Sequence, residues 1–337
     1  MASVARTSAD SAGVAADYAT VRESVGIVDR SDHGVLEVTG RDRATFLHAL
    51  VSNEVKALAP GQGCAATLLD IHGKVQLVLF LWVLDDKILI VTPPGTAGAA
   101  MDGFDKYLFS EKAYFRDASG ELALLMLAGA GASAPAERLA GVRPAETAWS
   151  SARGKVDGVE VVLVRGGGET GGDEVWIAAP AADKDRVWQA ALAGGARPIG
   201  GEAVETLRIE AGTPRFGVDV DATVLLPEIP FDNLLSYSKG CYPGQEVVVR
   251  IRDRGHVNRM LRGLVVDGDA LPARGAEVSA GGAVIGHVTS AARSPGLGRV
   301  IALAFVRRQH APAGTPVTVR AGEGDVPATV SDLPFAR

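Results

Sequence analysis

Chemistry is concentrated in the stretch Lys239-Gly240-Cys241-Tyr242-Pro243-Gly244-Gln245-Glu246. It places one of the chain's two cysteines on a glycine-flanked turn beside a lysine, a setting in which a thiol is exposed and its thiolate is favoured by positive charge. A lone cysteine is more often a small buried hydrophobe, but the polar neighbours move Cys241 toward a reactive or ligating role. Cys64, between Gly63 and Ala65 ahead of an apolar run, keeps the buried reading. The segment from Leu207 to Glu246 carries Asp219, Asp221 and Glu228 among glycines and prolines, so turns rather than helix faces present them; taken alone, it reads as a solvated loop. Five arginines then fall between Arg250 and Arg262. Their planar forks suit carboxylates or phosphates; an exposed basic face accounts for most of them, and one or two facing a pocket would hold a ligand carboxylate.

Other chemistries are weakly supported. The six histidines are scattered without metal-ligand spacing, so no metal site is expected. Gly166-Gly167-Gly168 precedes an acid rather than a lysine at a helix start, which is not a phosphate loop. The two cysteines form no CxxC, which argues against a disulfide framework or zinc cluster and fits a reducing cytoplasm. A net charge of −6 over 337 residues argues against a stable nucleic-acid complex and leaves room only for a local anion site. The longest apolar run, Val75 to Leu84, is too short to cross a bilayer and reads as a buried strand, so no membrane partner is expected. The first seventeen residues lack the apolar stretch of a secretory signal and read as a frayed tail.

The elements that must position these residues fall into three textures. A strand at Val35 to Val38 leads into a helix from Arg41 to Leu50, then strands at Cys64 to Leu69, Val75 to Leu84 and Lys87 to Val91, the last two forming a hairpin across Asp85-Asp86. A helix from about Thr96 to Phe109 follows. The middle alternates strands at Leu122 to Leu127, Val159 to Val164 and Glu174 to Ala178 with Gly/Ala-rich breaks at Gly129 to Gly141 and Gly166 to Gly172, read as loops. Helices are expected at Asp183 to Leu192 and Gly201 to Ala211. Beyond Arg262, short β-rich runs punctuated by Gly and Pro predict a small antiparallel barrel or roll.

Four pieces together resemble a known group: G-I-V-D-R-S-D-H-G from Gly26, V-T-G-R-D-R-A-T-F-L from Val38, the block from Leu207 to Glu246, and G-H-V-T-S-A-A-R-S-P-G-L-G from Gly286. They are similar to the YgfZ branch of the glycine-cleavage T-protein superfamily, and the cysteine in K-G-C-Y-x-G-Q-E favours that branch over the T-proteins proper. The resemblance implies an α+β fold of three domains in a ring, two α+β domains and a C-terminal small antiparallel β-barrel. The corresponding divisions are 18–110, 111–258 and 259–334, the first domain regaining about 200–258. It implies a tetrahydrofolate or related reduced folate as cofactor, with Glu228 gripping the pterin, Arg259 or Arg262 meeting the folate glutamate tail, and Tyr242, Gly244 and Gln245 alongside. Cys241, with Lys239 beside it, would be the chemical group, on a turn lining or adjoining the folate cleft.

The same resemblance implies a cytoplasmic role in one-carbon metabolism, supporting assembly or repair of iron-sulfur enzymes and tRNA modification, with iron-sulfur client or assembly proteins as partners. The alternative is a folate-dependent aminomethyltransferase or demethylase, using an acid such as Asp70. Against transfer, T-proteins carry an aspartate in G-G-x-x-D-D where this chain has His72 to Leu77; Gln76 and Leu77 offer no exchangeable proton at neutral pH. Enzyme activity is therefore left open.

Overall fold

Alternation with period two decides how the long apolar run is used. In the computed structural model, which describes residues 11–322 and 324–336, Val75–Val83 pairs antiparallel with Gly63–Leu69 on one side and Ile88–Pro94 on the other. His33–Thr39 and Tyr114–Asp117 complete a five-stranded sheet. Leu77, Leu79, Leu81 and Val83 enter a core with Phe46, Leu47 and Phe104. Val75 and Trp82, with the partly buried Val78 and Phe80, enter a different one. A strand covered on both faces has apolar residues at nearly every position, and only the half-buried Gln76 interrupts the run.

The second sheet has six strands, in the order Arg197–Pro198, Val25–Asp29, Leu122–Gly129, Glu174–Pro180, Val159–Arg165, Ser151–Val156. Its outer face packs Leu125, Leu127, Val175 and Ile177 against residues of the helices Ser133–Ala140 and Lys184–Ala193. Its inner face contributes Leu124, Met126, Trp176 and Ala178 to the core that holds Val75 and Trp82 of the first sheet. Leu207 and Ile209 of the helix Gly201–Glu210 join that core, as do Leu303 and Phe305 of the C-terminal unit. One apolar cluster thus binds all three units.

The C-terminal unit is a closed barrel of Arg259–Val266, Arg299–Arg307, Ala283–Ser294, Glu277–Ala280, Pro316–Ala321 and Gly324–Ser331. Val266, Val278, Val288, Val306, Val319 and Val330 fill its interior. Closure leaves no unpaired edge, so short strands suffice.

The structure differs from the sequence expectations where long-range pairing decides. Residues 11–17, read as part of a frayed tail, begin the helix Ser11–Glu23. Glu210 anchors that helix, accepting from the Tyr18 hydroxyl at 2.9 Å and from Arg22 at 2.6 Å; the first ten residues lie outside the described ones. Gly129 to Gly141, read as a loop, contains the helix Ser133–Ala140. The domain division at 110/111 cuts the wrong connection: Tyr114–Asp117 is an edge strand of the first sheet, whereas Val25–Asp29, assigned to the first domain, lies in the second. The chain after Phe216 returns to the first sheet, where the Val75 amide donates to the Val224 carbonyl and the Ser236 amide to that of Ser52. Periodicity reveals that a segment is a strand, but its partner lies far away in sequence.

Candidate functional site

A cavity of about 270 Å³ opens between the facing surfaces of the two sheets. Ala65, Val78 and Phe80 line it from the first sheet and Trp176 from the second, with Trp149, Gly167 and Glu169 at one side and residues 211–216 and 229–234 closing it. Trp149 stacks on Phe80 with ring centroids 4.3 Å apart and planes 15° from parallel. Trp149 adopts a left-handed backbone with φ 66°, a conformation that costs a bulky residue on the order of 1 kcal/mol or more and that clusters at ligand sites. Gly167 passes flat against the same indole, and a Cβ there would collide with its six-membered ring.

Two polar networks reach this aromatic chamber, one of Arg208 and Arg215 with Glu205 and Asp219, the other around Arg30. Arg30 lies over the Trp176 ring at 5.3 Å, and its Nη2 is 3.2 Å from His33 Nε2 and 3.1 Å from each Glu169 carboxylate oxygen. His33 Nδ1 in turn meets Asp32 Oδ1 at 2.9 Å, and this contact is the main reason the Asp32 carboxyl titrates below its ordinary range. Among the described residues, two buried donors here have no partner: Arg30 Nε and Trp176 Nε1. Both are enclosed by the protein itself and present no surface to the cavity.

Glu169 is aimed by a neighbour. Glu174, 1% exposed, gathers the backbone N–H groups of Gly168 at 3.2 Å and Glu169 at 3.1 Å, and both the amide and hydroxyl of Thr170. Burial pushes the Glu174 carboxyl up to about 7, and the nearby Glu169 charge acts in the same direction. The glycine-rich loop is therefore wrapped around an internal acid.

The Lys239–Glu246 turn is built elsewhere. Cys241 is exposed, but the cavity wall does not include it; the nearest wall residues in sequence are Asn233 and Leu234. Lys239 is bound inward rather than standing free beside Cys241, although the Cys241 sulfur is still among the negative neighbours that act on its charge. Its side chain runs inward, donating to the carbonyls of His48 and Val51 and lying 4.8 Å from the Tyr242 ring centroid. An ammonium in water-poor surroundings takes whatever acceptors the backbone offers; burial pulls its pKa down to about 8. His48 and Glu54 sit beside it, with Nδ1 and Oε1 2.9 Å apart. Tyr242 is buried in the shared core. Gly244, φ 79°, caps the helix Gln245–Arg254, and a Cβ there would strike the Asp70 carbonyl, so the K-G-C-Y-P-G-Q-E spacing serves as packing against the first sheet's hairpin. Gln245 opens that helix, away from the cavity. Cys64 is buried, its thiol pushed up to about 12 by desolvation.

Glu228 is also absent from the cavity wall. Its two oxygens accept from Arg259 Nε at 3.2 and 3.1 Å, and one accepts from the Leu225 amide at 3.2 Å. Arg259 is thus committed to Glu228 and to the face of Phe305 at 4.6 Å, and Arg262 pairs with Asp332 at 2.8 Å. Neither reaches the cavity. Arg252 pairs with Asp253, while Arg250 and Arg254 share an open surface cleft with His72 and His256. Asp219, read as solvated, is buried against Arg208, Thr289 and Ser290. Asp70 caps the turn before Lys74 by accepting the His72 and Lys74 amides, and Gln76 and Leu77 are likewise off the cavity wall. Among the described residues no group of three His, Cys, Asp or Glu is disposed to hold a metal ion, and no helix is long and apolar enough to cross a membrane.

The residues that sequence reasoning missed are Arg30, His33, Phe80, Trp149, Glu169 and Trp176. The available signal was the acid and Thr-Gly pair closing the Gly166–Gly172 run, which marks a loop bent around something. Nothing local connects it with Phe80.

Comparison with known proteins places this architecture. The GCVT N-terminal domain family matches residues 5–239, and the glycine cleavage T-protein C-terminal barrel domain matches residues 259–336. An aminomethyltransferase of Thermosynechococcus vestitus is 30% identical over 95% of this chain and 87% of its own length. A probable aminomethyltransferase of Halobacterium salinarum is 32% identical, covering 96% and 90%. The crystal structure of glycine cleavage system aminomethyltransferase T from Bartonella henselae superposes with a TM-score of 0.86 at 22% identity, over 96% of this chain and 89% of that one, a likeness of fold.

Proposed function

The chain belongs to the glycine cleavage T-protein family, and on that premise we propose that its central cavity holds a reduced folate used in one-carbon metabolism. The observation that supports this reading is the cavity itself: aromatic walls from Phe80, Trp149 and Trp176, with the Glu169 carboxylate and the Arg30 guanidinium among its polar groups. That is the lining a flat heteroaromatic head with mixed donors and acceptors requires. Bound there, the folate supplies the nitrogens that carry a one-carbon unit. The chain's own part is to exclude water with its aromatic walls and to orient the head through Glu169 and Arg30. Calorimetric titration with tetrahydrofolate tests this directly; no heat at high micromolar ligand would overturn it.

The names of the relatives favour aminomethyl transfer as the use of that folate. Supplying an aminomethylated lipoyl carrier and following methylene-tetrahydrofolate tests it, with turnover on the order of 1 per second or faster expected of such an enzyme. A second reading, support of iron-sulfur enzymes through the turn thiol, is favoured by a separate observation: Cys241 is exposed, whereas Gln76 and Leu77 supply no acid to the cavity. Cys241→Ala with normal folate affinity and lost support of iron-sulfur enzymes would establish it, and full complementation by that variant would remove it.

A further inference from the structure

Independently of the folate reading, we propose that the open cleft between the helix Gln245–Arg254 and the hairpin turn at residues 70–74, together with the cleft that adjoins it on the barrel, binds a ligand carrying a di- or triphosphate group. The first cleft, of about 560 Å³, is lined by His72 from the turn, by Arg250 and Arg254 from the helix and by His256 just beyond it. His256 also lines the second, of about 640 Å³, where Arg307 and Arg308 stand at the end of the barrel strand Arg299–Arg307. None of these residues lines the central cavity.

Charge singles this surface out. Arg252, Arg259 and Arg262, from the same stretch of chain, pair with Asp253, Glu228 and Asp332. Among the described residues, Arg250, Arg254, Arg307 and Arg308 have no acid partner, and no Asp or Glu lines either cleft. Glu246 stands one helical turn before Arg250 and makes no ion pair with it. In a chain of net charge −6, four exposed guanidinium groups are thus left facing one another without a counterion, a repulsion that a bound anion relieves.

The cleft is held at a fixed width. Arg250 and Arg254 are four residues apart and so share one helix face, while His72 comes from the opposite wall. Asp70 fixes the turn by accepting the His72 and Lys74 amides at 2.8 and 2.9 Å. The helix start is seated on that turn: a Cβ on Gly244 would fall 3.0 Å from Gly73 Cα. Donors spaced by a rigid scaffold lose little freedom on binding. A terminal phosphoryl group offers three acceptor oxygens to the converging donors, whereas a carboxylate offers two, and arginine forks match phosphate oxygens in pairs. The second cleft, joined through His256, gives a further phosphoryl group its own pair of arginines. Leu225, Val247 and Ile251 supply an apolar floor for the organic part of a phosphate ester.

The test is calorimetry on the full chain at low ionic strength, because salt screens exposed charges. The probes are ADP, inorganic pyrophosphate, inorganic phosphate and tri-γ-glutamate, the last a carboxylate ligand of comparable charge. Wild type is expected to bind ADP and pyrophosphate at least about tenfold tighter than tri-γ-glutamate; ADP ahead of pyrophosphate identifies an ester as the ligand, and the reverse order a free polyphosphate. Arg250→Gln with Arg254→Gln should weaken both by about 10- to 100-fold, the loss expected when hydrogen bonds between charged groups are removed. Arg307→Gln with Arg308→Gln should weaken pyrophosphate and leave inorganic phosphate, which occupies one cleft, unchanged. Arg252→Gln with Arg262→Gln removes the same charge from paired positions and should bind ADP within about twofold of wild type. Urea midpoints check folding; should the Arg250 and Arg254 double variant fail to fold, each single substitution must weaken pyrophosphate. The proposal is overturned if wild type binds neither ADP nor pyrophosphate at about 1 mM, if tri-γ-glutamate binds as tightly as they do, or if the Arg252 and Arg262 double variant loses as much affinity as the Arg250 and Arg254 one.

Discussion

Two glycine-bearing loops are organised around buried ionisable groups of opposite type, an acid and an amine. In the loop from Gly166 to Glu174, an internal carboxylate collects backbone N–H groups and aims an acid inward, into the cavity. In the turn from Lys239 to Glu246, an internal ammonium is bound to backbone carbonyls, and the cysteine two residues on faces outward. The same device, a buried ionisable group saturated by the main chain, thus builds a recognition surface in one place and presents a thiol in the other. It teaches that the charged residue of a motif can serve its fold as well as its neighbour: Lys239 is tied to backbone carbonyls of another segment while its charge still couples to Cys241.

The comparison breaks most readily at Glu174. Replacement by Leu leaves three backbone donors and the Thr170 hydroxyl buried without an acceptor. Each such group costs about 1–3 kcal/mol, and allowing for relaxation the expected loss is about 3–5 kcal/mol in urea unfolding. A loss below about 1 kcal/mol would show that the loop does not depend on its internal acid. Lys239→Met should cost less, about 1–3 kcal/mol, because only the His48 and Val51 carbonyls lose their donor.

The outward thiol sharpens the contrast with its buried counterpart. Iodoacetamide should label Cys241 at least about a hundredfold faster than Cys64, given the exposure of one and the desolvation that holds the other at about 12. Comparable rates, read by peptide mass spectrometry, would place both sulfurs in similar surroundings and end the distinction.

Glu174 also sets a pH dependence. Its folded pKa, about 7, exceeds the ordinary 4.5, so between those values the folded chain holds a proton that the unfolded chain releases. Its contribution to stability is therefore fully present below about pH 4.5 and is lost as pH rises through about 7, with a slope of at most ~1.4 kcal/mol per pH unit. The difference in urea midpoint between wild type and Glu174→Gln should follow that slope and level off above pH 7; a difference constant with pH would refute it. The smallest effect is expected at Arg262→Gln. It breaks a pair with the exposed Asp332 and should change stability by less than about 1 kcal/mol, leaving folate affinity unmoved in the same calorimetric assay.

Local pattern made much of the scaffold legible. The continuous run at Val75 identified a strand covered on both faces, and the Gly/Pro punctuation after Arg262 anticipated the barrel, because both signals depend on near neighbours in the chain. The turn at Cys241 was legible for the same reason: glycine, proline and cysteine at fixed offsets define it locally. What the sequence did not carry is which face looks at which. Period two puts Phe80 and Trp82 on one side of their strand and Trp176 on one side of its own, yet it is silent on which sheet stands opposite. That pairing fixes the cavity, gives Glu169 rather than Glu228 a place on its wall, and turns Lys239 inward. These outcomes depend on desolvation and on contacts between residues about seventy to almost two hundred positions apart, so only the folded chain could decide them.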